Sequence, residues 1–370
     1  MNGSWKLGKL AGIDIKIHLT FLFIFIWIGF STLYGGGSVA TMLSNFLLIS
    51  ALFVCVVFHE LGHALMAKRF GISTKDITLL PIGGVARLEN MPEDPKEELF
   101  VAAAGPLVNV IIAAILFSVL LLTGFFSAPM NILNNLNNFW FQLLAANITL
   151  VVFNLIPAFP MDGGRVLRAI LASNMDYVKA TRIAANIGRG FAVVMGIAGF
   201  FINPWLILTA LFVWSGAGAE AQSVEIKANM KGLVARDAMM TKYFQVEGNQ
   251  SLQDVFEISI QTGQQNIPVE SNGIFLGIIR RNNLLKAIER LGNRAPAYAV
   301  IDKEFKIVEP EMPLIDILPF FSSQRVLPVI ENRHLLGMIT PETVEQTMWL
   351  HKKFLNSGGY TSNSEKTDTV

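Results

Sequence analysis

The chain has 370 residues, of which 52% are hydrophobic and 15% are Asp, Glu, Lys or Arg, and its mean hydropathy is +0.48. Soluble domains carry about 25% charged residues, so this composition is that of a membrane protein. A formal net charge of +1 supplies no basic field for nucleic acid, and a single cysteine, Cys55, excludes an intrachain disulfide or a cysteine-only metal cluster.

Residues 17–59, 99–161 and 191–219 contain no Asp, Glu, Lys or Arg. At roughly 20 apolar residues per span, these stretches predict a polytopic α-helical membrane protein of about six transmembrane helices. The helices are expected near 17–34, 43–69, 98–123, 139–157, 183–201 and 204–220, separated by breakers at Gly35 to Gly37, the polar run Asn131 to Asn138, and Asn203-Pro204. The first segment is too long, and lacks the small-residue cleavage site, to be a removable signal peptide. Lys6, Lys9 and Lys16 precede the first span. Lys68, Arg69, Lys75, Arg87 and Lys96 follow the second, and Arg165, Arg168, Lys179, Arg182 and Arg189 lie around the connection between the fourth and fifth. The loops at 35–42, 124–138 and 202–204 contain no Lys or Arg. That asymmetry predicts a multi-pass protein of the cytoplasmic membrane with both termini in the cytoplasm.

After residue 220 charged residues return, and short β-branched runs alternate with helical patterns. IPVESNGIFLGIIRRNNLLKAI, from Ile267, aligns without gaps with LPVIENRHLLGMITPETVEQTM, from Leu327, pairing Pro268 with Pro328 and Gly277 with Gly337. Each copy predicts a strand, a tight turn, a second strand and a helix, an α/β unit that buries a shared core with its twin. The expected organisation is a membrane domain over 1–222, a linker over 223–235, two repeats at about 236–291 and 296–352, and a Ser, Thr, Asn and Gly rich disordered tail over 353–370.

His59-Glu60-Leu61-Gly62-His63 lies on the second predicted span. Two His at i and i+4 share one helical face about 5 to 6 Å apart, which lets two imidazoles chelate one Zn²⁺, with the intervening Glu able to act on water. Such a pair can also be held by hydrogen bonds in a helix bundle, but two His and a Glu in an apolar span are costly to insert unless paired or liganded. Catalytic zinc takes three protein ligands and keeps an open position. Asp162, in NLIPAFPMDGG from Asn154, is the first acid after the charge-free stretch. Pro157 and Pro160 break helical hydrogen bonding there, and Gly163 and Gly164 let the backbone approach closely. The alternative for Asp162 is to cap the following helix or pair with Arg165. Cys55 lies on the far side of His59 from His63 and is expected to be a packing residue. His18 is expected to be interfacial or hydrogen-bonded.

HELGHALMAKRFGI, followed about 90 residues later by NLIPAFPMDGGRVLRAIL, resembles the site-2 protease family of intramembrane zinc metalloproteases. The resemblance covers residues 1 to about 350 and extends to a six-span plan with a paired soluble repeat. It implies His59, His63 and Asp162 as Zn²⁺ ligands, one metal per chain, and Glu60 as the catalytic acid/base. It implies that Asn154 holds substrate or stabilises the oxyanion, and that Ile82-Gly83-Gly84-Val85 belongs to a β-hairpin loop dipping into the membrane. For Gly83 and Gly84 an ordinary turn is the alternative. The implied reaction is hydrolysis of a peptide bond within or near a transmembrane segment of a membrane protein substrate. That segment must unwind locally, and could pair as a strand with residues 77–88.

The C-terminal repeat resembles a cystathionine-β-synthase (CBS) domain pair, a module that often binds ATP, ADP or AMP and commonly forms homodimers. Many nucleotide-binding copies carry an Asp early in the last helix; the corresponding positions here are Asn283 and Thr343, and neither is acidic. Dimerisation or substrate docking is the alternative role. CBS pairs also sit beneath divalent-metal transporters and channels, which provides a second reading of the whole chain. That reading leaves Glu60, between two zinc-spaced histidines, unexplained.

Overall fold

A computed structural model describes residues 3–81, 83–88, 92–125 and 138–356. Ile82, the polar run at 131–137 and the tail from 357 lie outside the described residues. The chain forms two compact units, 1–224 and 225–370.

The first unit opens with a hairpin, β1 (Ser4–Leu10) and β2 (Ile13–His18), turned by Ala11 and Gly12, both at positive φ. Helix α1 (Leu22–Tyr34) follows, then α2 (Val39–Arg69), started by the Ser38 hydroxyl accepting from the Thr41 amide. Strands β3 (Thr74–Leu80) and β4 (Gly83–Leu88) complete a sheet of order β1-β2-β3-β4, in which β2 and β3 are parallel and the other pairs antiparallel. Asp76 on β3 binds Lys16 of β2 at 2.7 Å and both Nε and Nη2 of Arg87 on β4. Burial raises its carboxyl, but these two cations outweigh burial and lower it to about 2. The sheet's apolar face, Ile13, Ile15 and Ile77, packs on Leu61 and Ala64 of α2.

Helix α3 (Pro95–Leu122) begins with an Asp94 cap, Pro95 and two glutamates in its first turn, all favourable at a helix N-terminus. Helix α4 (Phe139–Asn154) packs with α2 and α3 around Cys55, Leu116, Leu120, Leu143 and Leu144. A turn at 155–161 leads into the short α5 (Asp162–Ala172), followed by α6 (Tyr177–Phe201) and α7 (Trp205–Met230). Phe159 is buried by Ala184, Ala185 and Ala217.

Among the described residues three helices, α2, α3 and α6, are long and apolar enough to cross a membrane. The other three expected spans are helical over most of their length but shorter or less apolar. The first is divided between β2 and the 13-residue α1, the fourth is the 16-residue α4, and the sixth loses its apolar character before Glu220. Helix α7 also runs through 223–230, assigned from sequence to a linker, because no breaker occurs before Gly232, which adopts φ 82°.

The second unit contains both repeats. The first comprises α8 (Leu252–Thr262), β6 (Asn266–Ser271), β7 (Ile274–Arg280) and α9 (Arg281–Leu291), with the two-residue β5 (Val246–Glu247) extending its sheet. The second comprises β8 (Leu327–Glu331), β9 (His334–Ile339) and α10 (Pro341–Asn356), whose last turn reaches into the segment expected to be tail. The segments leading into each copy are exchanged: Met240 bridges to Met338 in the second copy, and Asp302 to Ile278 in the first. Each copy has its own core, one built on Leu252, Ile267, Val269 and Ile279, the other on Leu314, Leu327, Val329 and Ile339.

Candidate metal centre and its surroundings

Helix α2 places His59 and His63 one turn apart on the face turned to α3, and their Nε2 atoms are 3.1 Å from each other. Asp162, the first residue of α5, brings Oδ2 to 3.2 Å from both. The three are buried, at 6%, 5% and 7% exposure. Asp162 caps no helix and does not pair with Arg165 here; its carboxylate is directed at the two imidazoles.

The Nδ1 atoms turn away from this meeting point, that of His63 to the Val101 carbonyl at 2.7 Å and that of His59 to Asn109 Oδ1 at 2.6 Å. A carbonyl only accepts, so Nδ1 of His63 carries a proton, and in the neutral ring its Nε2 presents a lone pair. Pro106 interrupts the α3 hydrogen-bond ladder next to the turn that supplies Val101. Nitrogen lone pairs and a carboxylate oxygen facing one another at this distance repel unless a proton or a metal ion lies among them. The donor set fits zinc: ligands at about 2.0–2.1 Å in tetrahedral geometry lie about 3.3 Å apart. Among the described residues no other group of three or more His, Cys, Asp or Glu is arranged to hold a metal.

Space at the meeting point comes from α3. A Cβ on Gly105 would lie 2.2 Å from His63 Nε2 and 2.7 Å from His59 Nε2, so no larger residue fits while the imidazoles keep this position. On the other side, the Ala86 amide of β4 donates to Glu60 Oε2 at 3.0 Å. Strand β4 ends the sheet, and its close approach to α2 is possible because position 84 is glycine: a Cβ there would lie 2.7 Å from Glu60 Cγ. Glu60 is thus held one residue from His59, where a carboxylate can exchange a proton with water. Gly83 adopts φ 137° at the start of β4.

Helix α5, which presents Asp162, is fixed by Arg168. This residue, counted from sequence among the loop cations, is fully buried; it donates to Glu98 of α3 and Glu220 of α7 and lies over the rings of Phe159 and Tyr177. Gly163 and Gly164 seat α5 against the backbone of 155–159, where a Cβ would meet atoms at 2.3 and 2.6 Å.

Among the described residues no other position singled out from sequence is hydrogen-bonded to His59, His63 or Asp162. Asn154 is the half-buried last residue of α4, and among the described residues no hydrogen bond joins it to His59, Glu60, His63 or Asp162. Cys55 is buried, with its sulfur 3.5 Å from Asn147 Nδ2. His18 bonds to Thr20 as the cap of a single 3-10 turn. In the second unit Asn283 lines a cavity of about 540 Å³ with Arg280, Arg281, Asp302, Phe305 and Arg325. Thr343 does not line it; its hydroxyl closes the start of α10 with Thr340. Gly105, Asn109, Asn147 and Ala86 were not singled out from sequence. One glycine, two asparagines and a backbone amide become recognisable only when the facing elements are known.

Comparison with known proteins places this architecture. Residues 47–196 match peptidase family M50, and residues 235–290 and 297–345 match the CBS domain. The chain is 36% identical over 352 residues to a zinc metalloprotease of Methanocaldococcus jannaschii, covering 94% of this chain and 97% of that protein. It is 28% identical over 215 residues to stage IV sporulation protein FB of Bacillus subtilis, covering 56% of this chain and 67% of that protein. A solved structure, the site-2 protease from Methanocaldococcus jannaschii, is 42% identical and covers 59% of this chain and 95% of that one, with a TM-score of 0.44. The chain therefore belongs to peptidase family M50, the zinc metalloproteases of site-2 type, and carries a pair of CBS domains.

Proposed function

We propose that this protease hydrolyses a peptide bond within or beside a membrane-spanning segment of a protein substrate, with His59, His63 and Asp162 as zinc ligands and Glu60 as general acid and base. The convergence of three metal-binding atoms at 3.1–3.2 Å beside an anchored carboxylate carries this reading. Bound zinc would supply Lewis acidity, acidifying water and polarising the scissile carbonyl. Glu60 takes the proton from water and delivers it to the leaving amine. The Ala86 amide holds one Glu60 oxygen, which orients the other for that transfer. A divalent-metal path fits less well, since the three ligating residues are buried and Glu60 is tied to a strand.

His59 lies ten residues before Arg69, about 15 Å along the helix, inside the bilayer toward the cytoplasmic side if Arg69 marks the interface. The distribution of basic residues supports cytoplasmic termini in the cell membrane. A helical substrate has its amides bonded internally, so the cleaved stretch unwinds and pairs with the outer edge of β4. Gly83 and Gly84 keep that strand narrow beside Glu60, and Asn154 binds the substrate backbone or the developing oxyanion. The CBS pair regulates cleavage by binding ATP, ADP or AMP in the cavity at Asn283, where Arg280, Arg281 and Arg325 offset phosphate charge. A homodimer through the CBS domains belongs to the same proposal.

Three outcomes test this. Gly105→Ala in the full-length protein is expected to reduce zinc from about one per chain to a small fraction, since its methyl group occupies the space between the imidazoles; undiminished zinc content would show that the metal lies elsewhere. Glu60→Gln is expected to keep its zinc, lose cleavage by about 10² to 10⁴-fold, and trap substrate that crosslinks to residues 83–88. Retained cleavage would remove Glu60 from its role, and crosslinks that never reach 83–88 would remove the strand-pairing step. Calorimetric titration of the full-length protein with ATP, ADP and AMP is expected to give saturable heat that Arg280→Ala weakens, and no heat with any of them would contradict nucleotide regulation.

A further inference from the structure

We infer that Asn109 and Asn147 form a directed amide relay that keeps the proton of His59 on Nδ1 and so leaves its Nε2 free to bind metal. The inference rests on the metalloprotease reading above and adds two positioning residues to it. Both side chains are fully buried, at 0% exposure, Asn109 on α3 and Asn147 on α4. A buried primary amide is costly unless its donors and acceptor are met. Here the oxygen and at least one N–H of each amide are met, and in one order only.

The relay has a fixed end. The Leu143 carbonyl can only accept, and Asn147 Nδ2 donates to it at 2.9 Å. That choice turns Asn147 Oδ1 toward α3, where Asn109 Nδ2 donates to it at 2.9 Å. Asn109 Oδ1 is then the atom left to face His59 Nδ1, at 2.6 Å. An amide oxygen only accepts, so Nδ1 of His59 must be the protonated nitrogen. Flipping Asn109 sets its NH₂ against a protonated Nδ1 and its oxygen against Asn147 Oδ1; flipping Asn147 sets its oxygen against the Leu143 carbonyl. The network therefore assigns both amides and the tautomer together.

The two histidines reach the same state by different means. His63 gives its Nδ1 proton to the Val101 carbonyl, a backbone group. Among the described residues no backbone carbonyl accepts from His59 Nδ1, and a three-helix relay from α4 through α3 to α2 takes its place. Metal-ligating histidines that lose the acceptor on their second nitrogen bind metal about 10–100-fold more weakly. Removing the acceptor at 109 should do the same here, although Asn109 is bonded to the meeting point only through His59 Nδ1.

The test compares zinc dissociation constants of the full-length protein in detergent, measured by competition with a chromogenic chelator. Asn109→Leu keeps the volume and removes the acceptor, and its affinity is expected to fall about 10–100-fold. Asn109→Asp restores an acceptor for Nδ1–H but sets its second oxygen against Asn147 Oδ1, and is expected to lose clearly less affinity than Asn109→Leu. Asn147→Leu releases the Asn109 amide to turn and is expected to fall between them. A packing role predicts the opposite order, because a carboxylate at a fully buried position is harsher than leucine. Wild-type affinity in Asn109→Leu, or equal losses in the Leu and Asp variants, would overturn the relay. A measurement on the wild type is independent of variant folding. ¹⁵N-histidine spectra of the metal-free full-length protein, taken above the histidine titration range, should show His59 protonated at Nδ1, and protonation at Nε2 would overturn the relay. A wild type that binds no zinc would refute the metalloprotease reading instead, and the His59 spectrum would still decide the relay.

Discussion

Two imidazole nitrogens and a carboxylate oxygen meet 3.1–3.2 Å apart inside an apolar helix bundle, and such a cluster is stable only with a proton or a metal ion among its atoms. Much of the first unit follows from holding it together. Helix α2 contributes two ligands by its own repeat. Helix α3 contributes the space, through Gly105, and the orientation, through Asn109 and the Val101 carbonyl. Buried Ala64, Ala67, Ala102 and Ala104 allow these helices to lie close, as small residues do where no water drives association.

The third ligand requires a different solution. Asp162 belongs to an 11-residue helix, too short to be stable by itself. Arg168, two turns on, ties that helix to Glu98 and Glu220 and stacks on Phe159 and Tyr177. A buried ion pair is a poor source of net stability because both charges lose water. Its value here is geometric, since four elements converge on one guanidinium and fix where α5 starts. The sheet has the corresponding role for Glu60. The ion pairs of Asp76 with Lys16 and Arg87 bind β2, β3 and β4 into one unit, and β4 meets Glu60 through the Ala86 amide.

What the sequence disclosed follows the same physics. His59 and His63 were legible because i and i+4 share a helical face whatever the fold. Asp162 was legible because an acid after a long charge-free stretch, between prolines and glycines, is expensive without a purpose. The CBS repeats were legible because one strand-turn-strand-helix pattern occurs twice with its Pro and Gly in register. Gly105, Asn109 and Asn147 were not, since a small or amide residue in an apolar helix has no signature until the facing helix is known. Arg168 misled for a related reason: loop cation and buried cation look alike until Glu98 and Glu220 are brought beside it. The N-terminal strands were obscured by position, because β2 runs directly into the apolar segment of α1 and extends the apparent span.

The central claim is that His59, His63 and Asp162 enclose one zinc ion. X-ray absorption at the zinc edge on the full-length protein tests it most directly. The account predicts about one zinc per chain in a shell of nitrogen and oxygen donors only, with the imidazole scattering of two histidines and first-shell distances of about 2.0–2.2 Å. A sulfur donor near 2.3 Å, which would bring Cys55 into the shell, or the imidazole scattering of a single histidine, would contradict it.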